Sequence, residues 1–143
     1  MESLINFYSK TDFNLEPKFS YEIWLQKAIE SEGKKLGNLS YVFCSDLDLL
    51  KINEEYLNHD TFTDIITFDY SEDAYISAEI YISIDRVKEN AREFKVEFEN
   101  ELRRVMVHGV LHCCGHKDSS KELKAKMRTL ETKKMELFHV EQK

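Results

Sequence analysis

The sequence predicts an α+β fold in which helices cover a small mixed β-sheet of four strands. Its 143 residues, 42% of them hydrophobic, are enough for one core, so residues 1–143 are expected to form a single domain. Strand-like and helical apolar patterns alternate in the first half of the chain, and helical spacing follows in the rest. The expected order is βαβαββααα, with about five helices around the sheet.

The first half of the chain alternates between strands and helices. Leu4–Tyr8 is short and apolar enough for an opening strand, and Phe19–Glu32 has apolar residues at helical spacing before a stop at Gly33. Leu39–Cys44 then alternates as a strand does. Asp46 is expected to cap a second helix with an apolar face formed by Leu49, Leu50, Ile52, Tyr56 and Leu57.

The second half of the chain begins with two segments rich in β-branched and aromatic residues, Asp64–Tyr70 and Ala78–Ile84. The short acidic connection between them predicts an antiparallel hairpin. The last three helices are expected at Arg86–Phe94, capped by Asp85, at Phe98–Cys114 and at Ser119–Phe138.

Composition excludes several classes of protein. No segment approaches the roughly 18 uncharged apolar residues that a membrane span requires, so no membrane partner is expected. The N-terminal residues lack the basic and apolar regions of a signal peptide, which favours a cytoplasmic protein. The three cysteines, Cys44, Cys113 and Cys114, make a poor disulfide framework and are expected to be free thiols.

Charge is unevenly distributed along the chain. The net charge of −7 argues against a protein that coats nucleic acid. Residues 1–85 hold six basic and seventeen acidic residues, whereas residues 86–143 hold fourteen basic and ten acidic ones. The second segment has a net charge of +4, so it could still form a local cationic rim that binds RNA.

Three of the five histidines fall within residues 108–116. His108 and His112 are four residues apart on a predicted helix, so their imidazoles project from one face and can bind one metal ion. A metalloprotease of the HExxH type would have glutamate directly after the first histidine, but this chain has Gly109. The spacing therefore predicts a metal site at the end of this helix without zincin chemistry.

The third ligand is not fixed by spacing alone. A continuous helix would place His116 roughly 12 Å along the axis from His108, too far for both to hold one ion. Gly115 can end the helix, after which either His116 or Asp118 could complete the site. A thiolate site is less suited, because adjacent helical residues such as Cys113 and its neighbour point about 100° apart.

Residues 108–118 resemble the signature of the YbeY family of bacterial rRNA-maturation endoribonucleases, which usually reads H-G-x-L-H-L-x-G-Y-D-H. Residues 58–68 resemble the family's D-x-P-T-D-V-L-S-F segment, and residues 78–86 resemble its G-D-I-x-I-S strand. The resemblance implies a metal-dependent endoribonuclease specific for single strands, acting in 16S rRNA 3′-end maturation and ribosome quality control. It also implies single-stranded rRNA, the small ribosomal subunit and a ribosomal protein as partners.

The family motif implies one Zn²⁺ ion held at its first, fifth and eleventh positions, which here are His108, His112 and Asp118. Asp118 departs from the usual histidine, but two histidines with a carboxylate form an accepted catalytic set. His116 stands where the family has tyrosine and is the alternative third ligand. His108 and His112 are accordingly expected to be catalytic as well as metal ligands.

A second departure is Leu57, which stands where many family members have an arginine. A leucine cannot contact a phosphate, so charge stabilisation must come from the metal, from His59 or from a basic residue elsewhere, or be absent. The basic candidates are Arg86, Arg103 and Arg104. His59 has a simpler reading as an exposed loop residue.

Thr63 and Asp64 match the family's T-D pair at the start of the third strand. Asp64 is a candidate catalytic residue that could orient a metal-bound water or a ligand histidine. Both residues could instead form a strand cap or turn.

Overall fold

The computed structural model describes residues 4–57 and 63–138. Its sheet has the strand order β1-β2-β4-β3, in which β2 pairs in parallel with both β1 and β4, and β3 pairs antiparallel with β4. The strands are β1 (Leu4–Ser9), β2 (Lys35–Cys44), β3 (Ile65–Asp69) and β4 (Tyr75–Ser83). The predicted mixed sheet of four strands and its antiparallel hairpin are therefore confirmed.

In the described part of the chain, five helices complete the fold in the predicted order. They are α1 (Lys18–Ser31), α2 (Asp46–Leu57), α3 (Ile84–Phe94), α4 (Phe98–Cys113) and α5 (Lys121–Met135). Across the described ranges, no helix is both long and apolar enough to span a membrane.

Helix α4 is the central helix, because it contacts α1, α3, α5 and the strands β3 and β4. Its residues Val107, Val110 and Leu111 are fully buried, and burial of each such side chain contributes about 1.5–3 kcal/mol to folding. The hydroxyl of Tyr41 on β2 donates a hydrogen bond to the Met106 carbonyl over 2.8 Å. This packing fixes α4 rigidly against one face of the sheet, while α2 covers the other face.

Two predicted helix caps are wrong. Helix α3 is capped by Ser83, whose hydroxyl accepts a hydrogen bond from a backbone N–H in the first turn, and Asp85 lies inside the helix. Before α2, Ser45 and Asp48 exchange side-chain and backbone hydrogen bonds as a capping box, and Asp46 is already helical. In both cases a serine directly before the helix accepts the hydrogen bond from a free backbone N–H of the first turn.

The chain turns sharply after α4, as predicted. Gly115 has φ of +102°, and the backbone N–H groups of Gly115 and His116 donate hydrogen bonds to the carbonyls of His112 and Leu111. The following loop returns along α4 to Ser120, whose hydroxyl caps α5. This return brings the loop back beside the histidines of α4.

Candidate metal centre and adjoining grooves

Three side chains converge where α4 ends. The Nε2 atoms of His108 and His112 lie 3.4 and 3.5 Å from Oδ2 of Asp118, and one donor atom from each residue fits within 4.8 Å of the others. Ligands bound to one tetrahedral ion at about 2.1 Å lie roughly 3.4 Å apart. The spacing and chemistry of these donors therefore suit a metal ion.

His116 is not in this cluster. Its Nε2 atom lies 2.6 Å from Oε1 of Glu32, whose other oxygen lies 2.8 Å from Nζ of Lys134. Burial opposes ionisation of Glu32, but hydrogen bonds from Lys134 and His116 outweigh it and lower its pKa. Of the two residues considered as third ligand, the structure brings Asp118 to the histidines and holds His116 against α1.

Glu131 on α5 contacts one histidine of the cluster at the ring nitrogen that faces away from Asp118. Its Oε2 atom lies 2.6 Å from Nδ1 of His108, and its Oε1 atom accepts a hydrogen bond from Arg104 over 3.0 Å. Burial lowers the pKa of His108, but the Glu131 hydrogen bond and charge outweigh this and raise it overall. A carboxylate on the second ring nitrogen fixes the orientation of a metal-binding histidine, so Glu131 aims Nε2 at Asp118.

Sequence reasoning missed Glu131, although a signal was present. Met127, Glu131 and Lys134 recur at helical spacing and are all buried in the structure. A charged residue on the inward face of an amphipathic helix needs a partner, and the histidine on α4 is that partner.

Gly109 faces the sheet, not the cluster of candidate ligands. A Cβ atom at this position would lie 3.0 Å from Ile80, 3.1 Å from Ile65 and 3.2 Å from Thr67. Helix α4 therefore approaches the sheet too closely for the glutamate of an HExxH motif. The structure supports the exclusion of zincin chemistry and explains it by packing.

Asp64 lies beside the cluster at the start of β3. Its Oδ2 atom accepts a hydrogen bond from Asn90 over 3.3 Å, and burial raises its pKa although the charge of His108 opposes the shift. The hydroxyl of Thr63 donates a local hydrogen bond to the carbonyl of Ile65 over 3.3 Å, which fits the strand-cap reading. His59 lies outside the described residues, so its predicted role stays a prediction.

Two open grooves meet at the cluster, and both are lined by Asp64, Ile65, His108 and Asp118. The first has a volume of about 620 Å³ and runs between α2 and β3. The second has a volume of about 470 Å³ and runs between α3 and α5 over α4. The two grooves therefore adjoin at His108 and Asp118, two of the three candidate ligands.

Among the described residues, the first groove has no basic side chain of the kind that the family resemblance would place there. Leu57 lines it and is 43% exposed. The three basic residues considered as substitutes are engaged elsewhere: Arg86 pairs with Asp46, Arg104 with Glu131, and Arg103 hydrogen-bonds Tyr21 and lies over the ring of Phe138. Lys124 and Arg128 line the second groove instead, and sequence reasoning missed both.

The cysteines are free thiols, as predicted. Burial and the nearby charge of Asp69 raise the pKa of Cys113 to about 12, and burial raises the pKa of Cys114 and Cys44 to about 11. These thiols stay protonated near neutral pH, which disfavours thiolate ligation. Cys113 lines the first groove as a small, weakly polar side chain.

Known proteins similar to this chain identify its family. A family model described as endoribonuclease YbeY matches residues 6–139. Proteins named endoribonuclease YbeY from Flavobacterium psychrophilum and Christiangramia forsetii are 52% and 51% identical to this chain. The alignments cover 97% and 96% of the chain and 99% and 96% of those proteins.

The solved structures give an independent comparison. The solution structure of TM1509 from Thermotoga maritima matches with a TM-score of 0.60 and 27% identity over 93% of this chain and 90% of that one. Sequence and fold thus agree along nearly the whole length of the protein. The chain belongs to the YbeY endoribonuclease family.

Proposed function

We propose that this protein is a zinc-dependent endoribonuclease specific for single-stranded RNA, acting in 16S rRNA 3′-end maturation and in ribosome quality control. The observation that carries the proposal is the convergence of His108, His112 and Asp118 where two open grooves meet. The names of the relatives support the reaction class. Zinc is proposed because two imidazoles with one carboxylate are a common catalytic zinc set.

Each residue around the cluster has a distinct role in this proposal. His108, His112 and Asp118 would hold the ion, and Glu131 would keep the His108 ring in its tautomer and orientation. When bound, a divalent ion supplies Lewis acidity toward water and toward a phosphodiester. Asp64 lines both grooves, and its raised pKa suits a group that accepts and returns a proton near the reacting bond.

The shape and charge of the surface around the site support single-stranded RNA as the substrate. Both grooves are partly open to solvent and share residues at the cluster, which suits a single strand lying across it. Lys124 and Arg128 supply positive charge beside it. We propose single-stranded rRNA of the small ribosomal subunit as substrate, a ribosomal protein as a further partner, and the cytoplasm as the location.

A second candidate function is supported by Leu57. With leucine in the first groove, the described part of this groove carries no cation to stabilise charge on a transferring phosphoryl group. The protein would then be an rRNA-binding assembly factor whose metal mainly holds the end of α4, with little nuclease activity. Binding of RNA without cleavage distinguishes this function from the first.

The test is cleavage of a single-stranded RNA by metal-analysed protein prepared without added zinc. We expect wild type to cleave and His112→Ala and Asp118→Ala to lose at least 100-fold in kcat/KM. His116→Ala is the matched control, because this histidine contacts Glu32 and not the cluster. Cleavage that survives His112→Ala would point to a contaminating nuclease, and RNA binding by wild type without cleavage would favour the assembly factor.

A further inference from the structure

Beyond the cluster of candidate ligands, the second groove presents an aromatic ring and a guanidinium to solvent. Phe94, the last residue of α3, is 50% exposed, and Cζ of Arg128 on α5 lies 5.6 Å from the centre of its ring. Both side chains line the groove. A large aromatic side chain left half-exposed against an arginine is an arrangement on which nucleobases stack.

The position of this pair relative to the cluster is set by two helices. Asn90, one turn before Phe94 on α3, donates its hydrogen bond to Asp64 at the cluster. Three residues after Arg128 on α5, Glu131 holds His108. Three helical residues span about 4.5 Å along the axis, so Arg128 lies within about one helical turn of the residue that holds His108. Phe94 and Arg128 therefore line the groove close to the cluster, on its α3–α5 side.

The charges of the groove favour a base at this point over a phosphate. Its inner wall holds the carboxylates of Asp64, Glu101 and Glu131, which repel a phosphate but tolerate a neutral ring. Lys124 and Arg128 are exposed at the groove, and in the described ranges neither has an ion-pair partner. They can meet the phosphates that flank a stacked base.

We propose that Phe94 and Arg128 form a base-stacking subsite for one nucleotide of single-stranded RNA, next to the bond that is cut. Lys124 contacts the adjoining phosphate. The subsite holds the strand on the α3–α5 side of the cluster, which compensates in part for Leu57 on the other side. This inference rests on the proposed function and names the recognition element of that same site.

The test uses single-stranded RNA cleavage, with kcat and KM measured separately for wild type and variants. We expect Phe94→Ala to raise KM about 5- to 150-fold, the range found for loss of one base stack, with a smaller change in kcat. Phe94→Tyr keeps an aromatic ring and should stay within about twofold of wild type. Phe19→Ala is the matched control, because Phe19 on α1 is 65% exposed and does not line the groove.

Salt dependence separates stacking from charge at Arg128. We expect Arg128→Ala to weaken binding and to reduce the slope of log affinity against log salt by about one, whereas Phe94→Ala leaves the slope unchanged. Arg128→Lys keeps the charge but not the planar group, so it should keep the slope and still bind more weakly. Arg92→Ala, an exposed arginine on α3 outside the groove, is the control for charge alone.

An abasic nucleotide places the subsite along the RNA. We expect one abasic position next to the cut bond to raise KM for wild type and to cause no further loss in Phe94→Ala. If Phe94→Ala and Arg128→Ala match their controls while wild type cleaves, the stacking subsite is refuted and the proposed function stands. If wild type neither binds nor cleaves single-stranded RNA, both the proposed function and the subsite are refuted.

Discussion

Replacement of Glu131 by glutamine should weaken metal binding without removing a ligand. Glutamine keeps the size and one acceptor oxygen but loses the charge that faces Nδ1 of His108 over 2.6 Å. Loss of such a supporting partner costs about 10- to 100-fold in metal affinity, or about 1.4–2.7 kcal/mol. Glu131 is 5% exposed, so solvent screens this interaction little and we expect a loss in the upper half of that range.

The substitution also affects stability, and the two effects can be separated. Arg104 loses its anionic partner but keeps hydrogen bonds to Thr132 and to the carbonyl of Arg128. We therefore expect Glu131→Gln to reduce the free energy of unfolding of metal-free protein by about 1–2 kcal/mol, less than the loss of a fully buried ion pair. Urea unfolding of metal-free protein measures this loss of folding stability without any contribution from metal binding.

The assay for metal affinity is competition with a chelator of known zinc affinity at pH 8, where protons compete little for histidine. Glu122→Gln is the matched control, since it removes the same charge from the first turn of α5 at an exposed position. We expect Glu122→Gln to bind zinc as wild type does. A Glu131→Gln variant within twofold of that control would refute the orienting role of Glu131.

Three further predictions follow from the packing, the first groove and the buried ion-pair network. Gly109→Glu should reduce the free energy of unfolding, measured in urea, by more than about 4 kcal/mol, because the glutamate side chain would enter the contact between α4 and the sheet. A smaller loss would contradict that packing. Leu57→Arg should raise kcat/KM for RNA cleavage about tenfold or more with little loss of stability. An unchanged kcat/KM would show that the first groove does not contact the reacting phosphate. Glu32, whose pKa is lowered below its ordinary value of 4.5, adds stability above about pH 4.5 that is lost as pH falls through its folded pKa. The difference in unfolding free energy between wild type and Glu32→Gln should therefore shrink as pH falls from about 5 toward 3. A difference independent of pH in this range would count against the contacts of Glu32 with His116 and Lys134.

The elements and the two candidate ligand histidines could be predicted because local patterns determine them. Period-two alternation along β4 and the four-residue spacing of His108 and His112 depend only on neighbouring residues. The turn at Gly115 was also predictable, because glycine adopts the left-handed conformation that ends a helix.

The contacts that complete the site are long-range and could not be predicted in the same way. Glu131 meets His108 across 23 residues, and Glu32 meets His116 across 84 residues. Spacing alone left Asp118 and His116 equally acceptable, and the choice depends on where α1 presents Glu32. Such pairings arise from tertiary packing, which a single sequence shows only as charged residues on inward helix faces.

We expect His108, His112 and Asp118 to bind one metal ion. Anomalous diffraction at the zinc edge, on crystals of protein purified without added metal, tests this expectation. We predict one peak per chain, about 2.0–2.2 Å from Nε2 of both histidines and from a carboxylate oxygen of Asp118. Absence of a peak at this position, or a peak ligated by His116 or Cys113, would contradict this expectation.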